Sequence, residues 1–146
     1  MTVVERVQDE IKKAMKNREQ TRLDCLRMVK GALLLKEKET GREVTDDQAV
    51  PVLRSEVRKR QDTVELLMGL GKLAEADAAR REIAVIEEFL PRQLSPEELE
   101  ARVHAYLAEH PETDNPGKLT GAMKKELGDL ADGKMLNEVC RKVLNG

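Results

Sequence analysis

The sequence predicts an all-α protein, with an N-terminal helical bundle of about four helices over residues 1–94 and a small three-helix unit over residues 95–146. Three observations carry that expectation. Apolar residues recur at spacings of three and four along nearly the whole chain, and no segment alternates with a period of two. Only 1% of the 146 residues are aromatic, namely Phe89 and Tyr106, so aliphatic and Met side chains must fill the interior. The chain is also 37% charged. Leu, Ala, Met, Glu, Lys and Arg lose little rotamer freedom in a helix, whereas sheets draw on β-branched and aromatic residues.

Val3, Val4, Val7, Ile11, Ala14 and Met15 form one face of a first helix, capped by Thr2 and ending near Lys16-Asn17. Asn17 is the residue expected to take the left-handed C-cap conformation. A second helix runs from about Glu19 to Glu39. Its apolar positions Leu23, Leu26, Met28, Val29, Ala32, Leu33, Leu34 and Leu35 are broad enough to suggest a helix sandwiched between neighbours. Gly41 ends it. Thr45-Asp46-Asp47-Gln48 reads as a capping box for a third helix with a stripe of Val50, Leu53, Val57, Val64 and Leu67. Pro51 lies beyond its first turn and predicts a slight kink or a late start. Gly69-Leu70-Gly71 breaks it near Met68.

The fourth helix spans about Leu73 to Phe89, with Ala76, Ala79, Ile83, Ile86 and Leu90 inward, and Leu90-Pro91 closes it. Ser95-Pro96-Glu97-Glu98 is the clearest start signal: Ser95 caps, Pro96 takes the first helical position, and Glu98 completes the box. That fifth helix carries Leu99, Val103 and Leu107 to His110-Pro111. Asn115-Pro116 opens a sixth with Leu119, Ala122, Met123 and Leu127. After the Asp132-Gly133 turn, a seventh carries Met135, Leu136, Val139, Cys140, Val143 and Leu144.

The composition excludes several function classes. The formal net charge is -2, so no global positive field drives nonspecific nucleic-acid binding. Cys25 and Cys140 are distant and each sits among aliphatic residues, which reads as two buried free thiols. The first residues lack the apolar stretch of a signal peptide, and the longest apolar run, Ala32 to Leu35, is far short of the roughly 20 residues that span a bilayer. A cytoplasmic protein with no membrane role is the simplest expectation.

No catalytic site, cofactor site or metal site is expected. His104 and His110 have no second histidine four residues away and no H-E-x-x-H, so zinc has no support. No P-loop or dinucleotide fingerprint is present. Gly117-Lys118-Leu119-Thr120-Gly121 opens a helix, whose N-terminus could accept an anion. Adjacent carboxylates such as Glu87-Glu88 and Glu97-Glu98 point in different directions on a helix and read as solvated faces.

Basic residues are the remaining tool. Arg54, Arg58, Lys59 and Arg60 lie within two turns of the third helix, and Arg80-Arg81 lie on the fourth. In the C-terminal unit Lys118, Lys124, Lys125, Lys134, Arg141 and Lys142 are the candidate nucleic-acid-binding residues. Glu126, Asp129 and Glu138 interleave with them, and from residue 95 onward seven Lys/Arg face ten Asp/Glu, a net of -3. On charge alone, an ordinary ion-paired surface is the simpler account of that pattern. No aromatic residue is expected there for base stacking.

Leu23-Asp24-Cys25-Leu26-Arg27-Met28, with Arg22, resembles the R-L-x-x-L-R-M stretch of the GatB/YqeY family. Arg58 to Thr63 resembles its K-x-R-x-D-S segment, and Glu88 to Ser95 its E-Y-L-P-x-Q-L-S linker. Gly117 to Lys124 and Ala131-Asp132-Gly133-Lys134 resemble its G-x-x-M-G and A-D-G segments. The resemblance covers essentially the whole chain, in order. It implies that the C-terminal unit is similar to the tail of GatB, the subunit that engages tRNA at its elbow in the enzyme amidating Glu-tRNA(Gln) or Asp-tRNA(Asn). There a separate cradle domain performs the chemistry, and this sequence has no segment for one.

A noncatalytic tRNA-associated protein is therefore the expected function, with tRNA or a protein of the tRNA-amidation or translation machinery as partner. The alternatives are a helical protein-interaction adaptor and an accessory of carbon–nitrogen ligase activity with glutamine as amido donor. Two departures from the family pattern bear on this. Phe89 replaces the commoner Tyr, losing a hydroxyl, and Leu130 stands where a cation often precedes A-D-G.

Overall fold

The computed structural model describes residues 1–146, and every regular element is helical. Seven α-helices and one short 3₁₀ turn follow in order: α1 (Val3–Lys16), α2 (Gln20–Thr40), α3 (Asp46–Gly69), α4 (Leu73–Glu87), α5 (Pro96–Glu109), α6 (Pro116–Leu127), the turn Gly128–Leu130, and α7 (Gly133–Asn145). The chain divides into two compact units, Met1–Leu90 and Pro91–Gly146.

In the first unit the starts of α1 and α3 are set by reciprocal caps. The Thr2 hydroxyl accepts from the Glu5 N–H, and the Thr45 hydroxyl accepts from the Gln48 N–H, while each acceptor side chain at N3 takes the cap N–H in return. The third helix therefore starts at its cap and not late. Pro51 sits inside α3, where its missing N–H leaves the Asp47 carbonyl without its usual i+4 donor.

α3 and α4 form the most extensively packed pair, with Ala76 and Ala79 buried between them. α1 and α2 pack similarly, and α2 also meets α3 and α4. Val7, Leu26, Val29, Leu33, Leu53 and Ile86 make the heart of one core. α2 is less enclosed than its composition suggests. Leu23, Leu26, Val29 and Leu33 are buried, but Met28, Leu34 and Leu35 are exposed. Three consecutive leucines spread over about 200° of a helix at 100° per residue, so one core cannot cover them all.

α1 also ends differently from expectation. Asn17 has φ −88°, and the left-handed residue is Arg18 at φ +55°. The Glu19 N–H reaches back to the Ala14 carbonyl and the Arg18 N–H to the Met15 carbonyl, the paired bonds of a Schellman ending. α3 ends the same way, but there Gly71 occupies the left-handed position at φ +74°. A side chain in that conformation costs roughly 1–2 kcal/mol. Arg18→Gly is accordingly expected to raise stability by about 0.5–1 kcal/mol, after allowing for the greater freedom of Gly in the unfolded chain. A urea midpoint at or below that of the parent would contradict this.

α4 tightens before Pro91. The N–H groups of Glu88, Phe89 and Leu90 donate to carbonyls three residues back, the pattern of a 3₁₀ turn. Phe89 is buried beneath the Arg6 guanidinium, 5.4 Å from the ring centre.

In the second unit, Ser95 and Glu98 form the capping box of α5. Asn115 and Asp132 cap α6 and α7. α5 and α6 each pack along α7 around a second core of Leu99, Val103, Leu119, Met123 and Leu136. Residues 91–94, expected to close the first unit, bond into this one. The Leu94 N–H donates to the Leu130 carbonyl at 2.7 Å, and the Gln93 amide donates to the Asp129 carbonyl at 3.0 Å. The 3₁₀ turn supplies acceptors that a proline-interrupted linker cannot find within itself.

Candidate nucleic-acid interface

The six candidate cations are all exposed. Lys118 and Lys125 lie seven residues apart on α6, and Lys134 and Arg141 seven apart on α7. Each pair therefore shares a helix face about two turns long. Lys124 is turned away from Lys125, toward the start of α7. Its Cε and Nζ lie 3.3 and 3.4 Å from where a Cβ on Gly133 would stand. The lysine crosses the turn in close contact with Gly133, and the crossing brings its ammonium to the helix terminus that begins with Gly133 and Lys134.

Lys142 and Arg141 have partners on the protein. Lys142 pairs with Glu100 of α5 at 3.2 Å, and the Arg141 guanidinium donates to the Asn137 amide oxygen at 2.8 Å. Asp132 already caps α7, its carboxylate accepting from the Met135 N–H at 3.0 Å. An anion at this turn would be held by lysine ammonium groups more than by helix amides.

In the first unit the basic run of α3 is divided. The Arg60 guanidinium is tied to Glu82 at 3.2 Å and to Glu56 at 3.7 Å, and Lys59 pairs with Glu56. Arg22 lies between two carboxylates, bonding Glu88 at 2.6 Å and Glu10 at 3.0 Å. The Arg22 guanidinium holds the Glu10 carboxyl below the usual carboxylate range, an effect that burial partly opposes.

An aromatic platform is present where none was expected. Tyr106 of α5 stacks with His110, the residue that caps the end of that helix, with ring centres 4.4 Å apart and planes 28° from parallel. The i, i+4 spacing was visible in sequence, but the open cleft beside the pair comes from helix packing. His104 is largely exposed, 3.8 Å from Glu100.

No group of three His, Cys, Asp or Glu side chains converges to hold a metal ion, and no helix is long and apolar enough to cross a membrane. Both cysteines are buried free thiols. The Cys25 thiol donates to the Glu82 carbonyl at 3.7 Å. Burial pushes both thiols up from their ordinary value, which opposes thiolate formation. A disulfide thiol reagent at neutral pH is thus expected to label neither residue until denaturant opens the fold. Stoichiometric labelling of native protein within minutes would contradict this burial.

The structure thus defines a class: an all-α protein of two helical units with a scattered set of exposed lysines. A family model described as Yqey-like protein matches residues 4–144, and the chain belongs to that family. No curated protein matches the chain.

Proposed function

We propose that the protein is a noncatalytic tRNA-associated factor whose second unit grips the phosphate backbone. The observation that carries this reading is the crossing of Gly133 by Lys124, which brings an ammonium from α6 to the start of α7. Lys118 and Lys125 add two exposed cations on another face of α6. Contacts of this kind position an RNA without reading its sequence. With the unit at a net charge of -3, binding depends on this local patch.

Each phosphate neutralised on a duplex contributes about −0.9 to the slope of log affinity against log salt. Four lysines therefore predict a slope of roughly −3 to −4. Lys124→Glu with Lys125→Glu is expected to weaken tRNA binding at least about tenfold and to flatten that slope by about 2. Gel shifts across a salt series, with circular dichroism as a check on folding, read both quantities. No shift of tRNA by the parent protein at low salt would remove the proposal.

A second reading has its own support. Met28, Leu34 and Leu35 are exposed on α2, and solvent-facing apolar side chains on one helix suit a protein-docking face. Under that reading, a partner captured from lysate survives RNase treatment and is lost in Leu34→Glu with Leu35→Glu.

A further inference from the structure

α5 and α6 each pack on α7, and their backbones approach one another at few points. A cleft of about 380 Å³ opens between them. One wall is a single stripe of α5, from Arg102 through Tyr106 and Glu109 to His110, and Met123, Glu126 and Leu127 of α6 form the other. We infer that this cleft is a pocket for one unpaired RNA base, with guanine the base whose edge matches it best. The inference rests on the RNA-binding reading above and assigns a second site within the same unit.

The argument starts from the rings. Tyr106 packs partly against the second core. His110 is held at the end of α5 by its N–H bond to the Tyr106 carbonyl, 2.8 Å. Tyr106 is thus seated by the core, and the His110 ring stacks on it. Unpaired RNA bases stack on such aromatic faces.

The charges select which part of the RNA enters. Glu109 and Glu126 repel phosphate, so the backbone stays outside. Their carboxylates can instead accept from ring N–H and amino groups. Guanine offers N1–H and an adjacent amino group, two parallel donors that suit one carboxylate. Uracil offers a single N–H flanked by carbonyl oxygens that carboxylates repel. A cationic peptide side chain also suits two carboxylates, but Arg102 on the same wall opposes a second cation.

The chain carries one tyrosine and no tryptophan, so tyrosine emission reports on Tyr106 alone. The test titrates the full chain at low salt with two RNA 12-mers, one all uridine and one with a single central guanosine. Binding is followed by anisotropy of labelled RNA and by tyrosine emission with unlabelled RNA. The guanosine RNA is expected to bind roughly five- to tenfold tighter and to quench Tyr106 emission. Glu109→Gln with Glu126→Gln, both at exposed positions, should erase that preference and leave uridine binding at least as strong, and His110→Ala should separately erase the preference.

Equal binding of the two RNAs with unchanged tyrosine emission would overturn the pocket and leave backbone binding standing. Binding of neither RNA would overturn both readings. A quench by an arginine-bearing peptide, without preference between the RNAs, would reassign the cleft to a protein ligand and overturn the inference.

Discussion

Leu136→Ala is expected to unfold the second unit and leave the first intact. Leu136 is fully buried in a core shared with Leu99, Val103, Leu119 and Met123. Truncating such a leucine costs about 2–5 kcal/mol, from lost transfer energy and from the cavity left behind. A unit spanning only residues 91–146 buries a modest fraction of its chain and holds a stability of roughly 3–8 kcal/mol. The loss is thus comparable with the whole margin. The first core, centred on Leu26, Leu33, Leu53 and Ile86, contains none of the residues of the second. Backbone amide spectra should therefore lose dispersion across residues 96–145 while residues 3–87 keep theirs. Under the proposed function, tRNA binding should be lost together with the second unit. A mutant that keeps full dispersion, or one in which both units melt together at the same lowered midpoint, would contradict two separate cores.

Much of this architecture was legible because its signals are local. Thr45 and Ser95 announce helix starts through a residue three positions on, Thr2 reads as a cap by its own identity, and all three caps form as expected. Periodicity located every helix, since a buried stripe recurs each turn. What it could not supply is how much of a stripe finds a neighbour. Met28, Leu34 and Leu35 are apolar, yet α1, α3 and α4 do not cover them. The α1 ending failed for another reason. Asn17 has the better left-handed propensity, but the helix runs one residue further and places Arg18 there. The candidate site was legible as a list of lysines and not as a place. That Lys124 crosses Gly133, and that a cleft opens beside Tyr106 and His110, depends on how α5 and α6 lean on α7. Residues far apart in sequence set those angles.

Arg22→Ala is the second large effect expected, and it separates structural from functional meaning in a segment that resembles a family motif. Arg22 joins α1 to the end of α4 by binding Glu10 and both oxygens of Glu88. The same end of α4 is held from the other side, where the Arg6 guanidinium donates to the Glu88 carbonyl at 2.9 Å. Exposed ion pairs contribute roughly 0–1 kcal/mol, and breaking a fully buried one costs about 3–5 kcal/mol. The Arg22 side chain is 23% exposed and that of Glu88 46%, so a loss of about 2 kcal/mol is expected.

The pH dependence fixes the mechanism. Hydrogen bonding to Arg22 lowers the Glu10 carboxyl below its ordinary value. Its contribution is therefore complete at neutral pH and fades as pH falls through the depressed folded value, below the usual range near roughly pH 4. The stability gap between parent and Arg22→Ala should narrow over that same acid interval. A gap that stays constant from neutral to acid pH would mean that Arg22 acts by packing its alkyl chain and not by charge. In a double-mutant cycle with Glu88→Ala, a coupling of about 1 kcal/mol is expected. Because Glu10 keeps its own bond to Arg22, the Glu88→Ala single mutant should cost less than Arg22→Ala. That asymmetry is what a guanidinium shared between two carboxylates produces, and a simple one-to-one pair would not show it.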